Sequence, residues 1–537
     1  MSSPILFQPP GAFISHLAKV GYKKQRPPTS DDEFEIHWLD ITPLKLNASF
    51  FTPFLISKRL SGFKTVTSDQ LRDLFDDLDS TAKSLKGSEI IVLIVGGKLI
   101  NIDESLREDL GLIKVAVIDR PTIESVLATQ DADERAKLIS AALVQFLGQE
   151  ALSPYVSGRP AIGGRFFARS SLVKQMVPGA GNYTIMGNRR IGKTSLLKEI
   201  RERLKLSNVS TAEVYGATCK STEDVIYKIL SELRRVRDID RCLQRPKTFV
   251  SSIHTAVEHE KQSIALFIDE LDKILEFDVK QGWEVLDILR ETVEGHPSCR
   301  VFFAGFRKVM AAKQSLSAPL FNFTTPVELP LFTRQETVDM VTKPLERLGI
   351  KVADTDLPET IYQETTGHPE LIQLHCKIII QFLKEHKRIP TGADLFTEVF
   401  NDAEYKQKVL GTFLANTNAH EELLCYLLIA DSENAANPTE YEFGHQDVNR
   451  VLKDKGIGLQ IGDLQGVIHN LKVSGIITPI IGAFERFRFS APQLVNYVVA
   501  LDLAFCIENA LERAREAAGD AGVWTEPPED SKNALLT

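Results

Sequence analysis

The sequence predicts an α/β protein whose central domain is built on a parallel sheet. Apolar runs of strand length, such as Ile90–Val95, alternate with segments of helical periodicity. A glycine-rich loop separates a strand from a helix at 187–195, and a second apolar strand at 264–270 ends in two carboxylates. Continuous apolar strands that alternate with helices are typical of parallel sheets covered on both faces.

The composition is that of an ordinary globular chain. Apolar residues make up 43% and charged residues 25% of the 537 positions, which is long enough for roughly three or four domains. The net charge of -9 argues against a chain that coats nucleic acid or anionic membrane as a whole, although a local basic patch remains compatible with it. No apolar run approaches the ~20 residues that span a bilayer. We therefore expect a cytoplasmic protein with no membrane partner, whose six scattered cysteines are buried free thiols.

The predicted organisation is four folded segments and a tail. The expected boundaries are 1–150 for an N-terminal α/β module, 160–330 for the central domain, 331–410 for a helical segment, 418–517 for a C-terminal unit with a long last helix, and 518–537 for a disordered tail. The N-terminal module shows no complete active-site motif, because Asp40, Lys45 and Lys98 do not form the spacing of a metal-dependent nuclease. The sequence does not indicate its role.

The glycine-rich loop has the pattern Gly-x-x-x-x-Gly-Lys-(Ser/Thr) between a strand and a helix. Successive backbone N–H groups in such a loop, together with the helix N-terminus, bind phosphate. The lysine then reaches the β- and γ-phosphates and the hydroxyl ligates Mg²⁺. The alternative is a glycine turn that precedes a helix by chance. The residues predicted to bind nucleotide here are Gly187, Asn188, Arg189, Arg190, Ile191, Gly192, Lys193, Thr194 and Ser195.

The second motif is the apolar strand that ends in Asp269-Glu270, about 75 residues after the loop. A carboxylate at the first position can hold the magnesium shell, and one at the second can orient or deprotonate water. We therefore predict Asp269 and Thr194 as metal ligands, and Glu270 and Lys193 as catalytic residues. The alternative for the pair is a solvated acidic turn. Asp272 is expected to cap a helix that begins at Lys273.

Several further segments give the chain a family resemblance over roughly 160–400. These are GGRFFARSSLV, GNRRIGKTSLL, ALFIDELD, RVFFAG, PLFN, LPLFTRQETVDMVTKPLERLGI and ETTGHPELIQLHCKIII. Together they resemble the STAND class of signal-transduction ATPases, which belongs with the AAA+ and origin-recognition ATPases. The resemblance implies a P-loop core, a helical lid, a C-terminal winged helix, and ATP with Mg²⁺ as cofactors.

The resemblance also implies roles for residues outside the two motifs. It places Gly164 and Arg165 near the adenine or ribose, Arg307 near the γ-phosphate, and His368 against the phosphates in an ADP-bound state. Each has a structural alternative, since Arg307 fits a surface position and the segment around His368 fits a helix cap followed by a new helix. Arg189 and Arg190 fit either solvent exposure or a contact with a neighbouring subunit or the γ-phosphate.

The C-terminal unit reads as three helices and a hairpin, which is the winged-helix pattern. DNA readers of this kind need a basic face. Residues 419–492 contain ten acidic and six basic side chains, a net charge of -4, so packing against the central domain is the favoured role.

The sequence thus predicts an ATPase that binds ATP-Mg and hydrolyses it slowly as a regulatory switch. A protein partner, or assembly into a homo-oligomer in the ATP state, would follow from such a switch. The alternatives are a DNA-associated ATPase that resembles origin-recognition loaders, and a nucleotide-gated scaffold without turnover.

Overall fold

The computed structural model describes residues 10–22, 24, 27–31, 33–46, 51–84, 90–100, 114–155, 157–352, 355–455, 457, 461–480, 482–483 and 485–519. The chain forms two compact units. The first comprises Met1–Val173, Val338–Pro358 and Cys376–Thr391, and the second Lys174–Thr337, Glu359–His375 and Gly392–Thr537. The predicted helical segment 331–410 is therefore shared between them, and the domain boundaries remain a prediction. The segment ESLREDLG at 104–111, whose sequence predicts a short helix, and the tail beyond 519 lie outside the described residues.

The first unit contains a sheet in the order β1-β2-β3-β5-β7 and a small pair, β4-β6. Its strands are β1 (Thr29–Ser30), β2 (Phe34–Asp40), β3 (Phe51–Ser57), β4 (Thr65–Val66), β5 (Ile90–Ile94), β6 (Lys98–Leu99) and β7 (Lys114–Ile118). Its helices include α1 (Pro10–Lys19), α2 (Ser68–Ser84), α3 (Arg120–Ala128) and α4 (Ala132–Leu152).

The alternation of strands and helices in the N-terminal module predicts a parallel unit, and this is wrong for one pair of strands. β5 pairs in parallel with both β3 and β7, whereas β2 and β3 pair antiparallel. The connection between β2 and β3 is too short for a crossover helix, which a parallel pair requires. β3 was not predicted because Pro53 argues against a strand. Pro53 pairs only with β2, since the pairing of β3 with β5 begins at Phe54.

The second unit contains a five-stranded sheet in the order β12-β8-β11-β10-β9, and every pair in it is parallel. Its strands are β8 (Tyr183–Met186), β9 (Ser210–Tyr215), β10 (Ile264–Asp269), β11 (Cys299–Gly305) and β12 (Thr325–Glu328). Helix α5 (Ser170–Met176) contains the boundary between the two units. The helices of the second unit around the sheet are α6 (Lys193–Leu206), α7 (Thr222–Glu232), α8 (Val236–Gln244), α9 (Thr248–Glu260), α10 (Leu271–Asp278), α11 (Glu284–Glu294) and α12 (Arg307–Gln314).

This sheet confirms the predicted α/β fold with a parallel core. All residues of β8, β10 and β11 are buried, which agrees with their continuous apolar sequences. Phe267 and Phe302 stack at 4.8 Å between ring centroids and help to align β10 with β11. Because the strands are parallel, the loops that follow β8, β9, β10 and β11 meet at one edge.

The remaining elements are mainly helical. They are α13 (Arg334–Arg347), α14 (Leu357–Thr365), α15 (Pro369–His386), α16 (Gly392–Asn401), α17 (Ala403–Phe413), α18 (Ala419–Ser432), β13 (Glu442–Gly444), α19 (His445–Lys453), α20 (Ile461–Val473), β14 (Ile477–Pro479), β15 (Arg486–Phe489), α21 (Pro492–Val499) and α22 (Leu503–Gly519). β13, β15 and β14 form an antiparallel sheet in that order. The expected three helices and hairpin are present, whereas β13 and α21 were not predicted.

Two sequence expectations about apolar residues can be compared with the structure. Among the described residues, no single helix is both long and apolar enough to cross a membrane. Only α21 and α22 taken together reach that length, and they are bent by 98°. Five of the six cysteines are buried as free thiols, and Cys506 is partly buried.

Candidate nucleotide-binding site

The loop between β8 and α6 has the backbone conformation of an anion-binding turn. Gly187 and Gly192 have φ values of 152° and 102°, and Arg190 also has a positive φ of 57°. A Cβ at Gly187 would lie 3.3 Å from the carbonyl oxygen of Leu329, so the loop fits closely against the end of β12. Gly192 occupies the N-cap of α6 and supplies no side chain there. The left-handed residues let the loop close over the start of α6, where phosphate is bound in such turns.

The side chain of Lys193 lies over this loop. Its Nζ donates to the carbonyl oxygens of Gly187 and Asn188 at 2.8 and 2.7 Å. The same ammonium lies 5.6 Å from the centre of the Phe306 ring, at the end of β11. Thr194 and Ser195 follow in the first turn of α6, and Ile191 is buried beneath the loop.

Thr194 and Asp269 are brought together as the motifs predicted. The Thr194 hydroxyl donates to Asp269 Oδ2 at 2.6 Å, and the backbone N–H of Glu270 donates to Asp269 Oδ1 at 2.9 Å. Asp269 is only 2% exposed, and this burial raises its pKa. Hydroxyl and carboxylate oxygens are the ligands that Mg²⁺ prefers. No larger cluster of acidic, His or Cys side chains is present among the described residues, so phosphate oxygens and water would have to complete a metal shell here.

Glu270 is fixed beside this pair by the neighbouring strand β9. It has a φ of 51° and forms the N-cap of α10. Its Oε1 accepts a hydrogen bond from the Tyr215 hydroxyl at 2.7 Å, and this bond raises the pKa of Tyr215 to about 12. A Cβ at Gly216 would overlap the carbonyl oxygen of Glu270, so the two backbones are in direct contact. Strained backbone of this kind is common where side chains must be aimed at a site.

Asp272 caps a different helix from the one that was predicted. α10 begins at Leu271, with Glu270 as its N-cap. The carboxylate of Asp272 instead accepts from the backbone N–H groups of Phe306, Lys308 and Val309 at 2.7, 2.9 and 3.3 Å. It therefore joins the acidic motif to the start of α12, and a Cβ at Gly305 would overlap this carboxylate.

Arg307, at the first position of α12, points to the C-terminal helices. Its guanidinium donates to both oxygens of Glu421 at 3.0 and 2.7 Å and to the hydroxyl of Ser474. Glu421, in the first turn of α18, is fully buried, and the Arg307 side chain is 25% exposed. In this conformation, Arg307 therefore forms an ion pair with α18, a contact that neither alternative from the sequence included.

The residues between Gly187 and Gly192 of the phosphate loop also contact elements outside the sheet. The Asn188 side chain lies against the backbone of Val473 and Gly475, at the end of α20. Arg190 donates to the carbonyl oxygen of Lys408 at 3.2 Å and to the Thr412 hydroxyl at 3.3 Å.

Arg189 extends the same set of contacts. Arg189 Nη1 lies 3.5 Å from the carbonyl oxygen of Gly411 in α17. Its own carbonyl oxygen lies 3.3 Å from Nε2 of His368. His368 is 1% exposed, and its ring packs edge-on against Phe413 with 5.8 Å between centroids. Of the two alternatives for the arginine pair, solvent exposure is wrong for Arg190, which is partly buried against α17. A contact with a neighbouring subunit stays untested.

Arg165 lies in the other unit of the chain, in a short 3-10 turn at Gly163–Arg165. A Cβ at Gly164 would overlap the carbonyl oxygen of Leu46, which explains a glycine at that position. The role of Arg165 near the adenine or ribose remains a prediction from the resemblance.

Sequence reasoning missed Tyr215 as a residue of this site. The signal was available in the strand STAEVY, because Tyr215 is its last residue and pairs in register with Asp269. A polar side chain at the end of a strand next to an acidic strand lies at the same sheet edge.

A parallel sheet of this order, with a phosphate loop after one central strand and Asp-Glu after another, defines a P-loop nucleoside triphosphatase domain. Residues 177–309 match the family described as AAA domain. The central domain of this chain is accordingly a P-loop ATPase domain of the AAA type. No curated protein matches the chain in sequence.

The fold is also similar to solved structures. A Walker-type ATPase of Pyrococcus abyssi aligns with a TM-score of 0.50 and 13% identity, over 64% of this chain and 99% of that protein. The Aeropyrum pernix ORC2 protein, in its ADPNP-ADP complexes, aligns with a TM-score of 0.46 and 13% identity, over 68% and 98%. Drosophila ORC bound to DNA aligns with a TM-score of 0.36 and 12% identity, over 66% and 91%. At these identities the likeness concerns the fold alone.

Proposed function

We propose that the protein binds ATP with Mg²⁺ at the β8–α6 loop and hydrolyses it slowly, as a regulatory switch of the kind found in the STAND class. Lys193 would bind the β- and γ-phosphates, and Thr194 with Asp269 would hold the metal. The residues fit these ligands, because a glycine-rich cradle, a lysine and two adjacent oxygen donors lie together. When bound, Mg²⁺ would neutralise charge on the phosphates.

Glu270 is the proposed base for the attacking water. Its carboxylate lies next to the metal-binding pair and is aimed by the Tyr215 hydroxyl. We expect turnover to be slow because Lys193 is bound to its own loop and Arg307 is paired with Glu421 in this conformation. Both side chains would have to exchange partners before they could contact phosphate.

Tyr215→Phe tests the positioning of Glu270. Removing the hydroxyl keeps the ring but frees the carboxylate, so we expect kcat to fall about fivefold to tenfold with KM for ATP unchanged, consistent with about 1–1.4 kcal/mol. Steady-state phosphate release measures both constants. A parallel rise in KM, or no change in kcat, would show that Tyr215 does not position the base. Tyr227→Phe, an exposed tyrosine of α7, is the matched control.

The observation that carries the switch is that the phosphate loop is held from outside the sheet. Asn188 contacts the end of α20, and Arg189 and Arg190 contact α17. In addition, His368 contacts the carbonyl oxygen of Arg189. Binding of nucleotide and packing of these helices therefore involve the same residues. A ligand shifts a conformational equilibrium only by its difference in affinity for the two states, and these shared contacts supply such a difference.

The Arg307–Glu421 ion pair adds a second tie between the end of β11 and α18. Glu421 also completes a capping box with Asn418, so the same carboxylate fixes the start of α18 and holds Arg307. Loss of one partner from a buried pair leaves the other charge uncompensated. We propose that ADP favours this closed packing, that ATP loosens it, and that a partner or second copy binds the opened form.

His368→Ala is the test of this switch. If the contact contributes ~1.4 kcal/mol to the closed state, its loss changes the open population about tenfold. We expect ADP affinity to fall about tenfold more than ATP affinity, and protease cleavage near 405–420 to increase. His375→Ala is the control, because His375, on the helix that follows His368, is equally buried but packs on Tyr405 instead of the loop. Equal losses of both affinities with unchanged proteolysis would contradict the switch.

The alternative, a DNA-associated ATPase that binds through a winged helix, has less support from this unit. Two of its six basic side chains are held in ion pairs: Arg450 pairs with Asp431 at 2.6 Å and Arg486 with Asp447 at 3.1 Å. With a net charge of -4 over 419–492, the unit lacks the basic face that binding to phosphates requires.

A further inference from the structure

Helix α8 carries a concentration of cations that no function above uses. Residues 234–247 contain six basic and two acidic side chains, a net charge of +4 in a chain whose net charge is -9. Arg237 and Arg241 are four residues apart, which places them on the same side of α8, and Arg245 follows as its C-cap. Cys242, on another side of the helix, is fully buried in the core of the domain and anchors α8. The arginines therefore form an exposed row, and Lys247 follows it directly.

Most of these cations are not neutralised within the protein. In the part of the chain that the structure describes, Arg234, Arg237, Arg245 and Lys247 have no carboxylate within ion-pair distance, whereas Arg235 and Arg241 share Asp238 at 2.9 and 3.3 Å. Arginines elsewhere in the same unit are paired, for example Arg201, Arg203, Arg290, Arg334 and Arg450. Most of the cations of this segment are thus exposed to solvent and do not stabilise the fold through ion pairs.

We propose that this row, the basic face of α8, binds the phosphate backbone of a nucleic acid. Guanidinium groups match phosphate in a bidentate manner. Arg237 and Arg241 are about 6 Å apart along the helix axis and Arg245 lies just beyond its end, so the three side chains can reach about three successive phosphates of one strand. Val236, the neighbour of Arg237 in sequence, is 70% exposed and can pack on sugars or bases.

A nucleic acid fits this surface better than an acidic peptide. The net charge of -9 disfavours a long polyanion over the surface as a whole, whereas uncompensated cations are concentrated on the basic face of α8. A carboxylate-rich peptide is flexible and pays ordering entropy for each side chain, whereas backbone phosphates are evenly spaced like the arginines. The proposal is independent of nucleotide binding and of the C-terminal unit.

Fluorescence anisotropy of the full-length protein with labelled 30-mers tests the proposal. Single-stranded and duplex DNA and single-stranded RNA of mixed sequence are titrated at 50–200 mM NaCl, without nucleotide. The triple variant Arg237→Gln, Arg241→Gln, Arg245→Gln should weaken binding at least tenfold at the lowest salt. The slope of log K against log salt should shrink by about 2–3, as expected for three phosphate contacts at 0.7–0.9 each.

The matched control removes the same charge elsewhere. Arg450→Gln, Lys453→Gln, Lys455→Gln changes three surface cations in and just after α19 and should leave affinity and salt slope unchanged. Melting temperatures of both variants establish that they are folded. Absence of binding by the wild type at 50 mM NaCl, equal loss in both variants, or displacement of the oligonucleotide by polyglutamate at equal charge concentration would each overturn the proposal. The last outcome would assign the surface to an acidic protein segment.

Discussion

Glu270→Gln should lower ATP hydrolysis by about two orders of magnitude or more while ATP binding is retained. The amide oxygen of glutamine can still accept the hydrogen bond that the Tyr215 hydroxyl donates to Glu270, so the side chain keeps its position. The amide cannot take a proton from water. The substitution therefore separates basicity from geometry, and binding measured with a fluorescent ATP analogue should be unchanged.

Single-turnover hydrolysis is the appropriate measurement, because it excludes product release as the slow step. Glu276→Gln provides the control on the same helix, since Glu276 pairs with the surface residues Lys273 and Lys308. Hydrolysis by Glu270→Gln at the wild-type rate would assign the base to another residue. A loss of ATP affinity in proportion to the loss of rate would indicate a binding role instead.

The parts of the site that could be predicted are those encoded locally. Gly187–Thr194 and Asp269-Glu270 are short motifs whose chemistry depends on neighbours in sequence, and the structure joins them through the Thr194–Asp269 hydrogen bond. Tyr215 belongs to the site through strand register, a property of two segments that are 55 positions apart. Glu421 is 114 positions from Arg307, and no local pattern pairs them.

The same distinction applies to the fold. Buried strands such as β10 are continuous apolar runs and were predicted with their helices. β12 was missed because Thr325–Glu328 is mostly exposed and contains Pro326, and it is a strand only through its pairing with β8. Asp272 was expected to cap its own helix, since an acidic residue near a helix start usually does. It caps α12 because β10 and β11 are neighbours and bring the two loops together.

The contacts that hold the phosphate loop affect the measured affinity for nucleotide. Lys193, Arg190 and Asn188 each have partners inside the protein, so a nucleotide competes with these contacts for the loop. Under the proposed switch, the measured affinity would include the free energy of releasing these contacts, and the apparent affinity would be the intrinsic affinity multiplied by the fraction of molecules that are open. Variants of the loop can change binding through this equilibrium as well as through direct contact with phosphate.

Lys193→Ala should abolish the stabilisation of the protein by nucleotide. At a ligand concentration of about 100 times Kd, wild type should gain roughly 2.7 kcal/mol, which for a domain of this size is several degrees in Tm. The variant also loses the hydrogen bonds from Nζ to Gly187 and Asn188, so its Tm without ligand is expected to differ from wild type. The relevant quantity is therefore the shift on adding ATP-Mg, measured by calorimetry for each protein separately.

Lys205→Ala, at the exposed end of the same helix, should keep the full shift because Lys205 pairs with Glu202 on the surface, away from the loop. The comparison of the two lysines separates phosphate binding from a general effect of charge on α6. If Lys193→Ala showed the wild-type shift, nucleotide would not bind through this loop, and Glu270 would lose its proposed role with it. If both variants lost the shift, the cause would be the stability of α6, since only Lys193 can reach the loop where phosphate is expected.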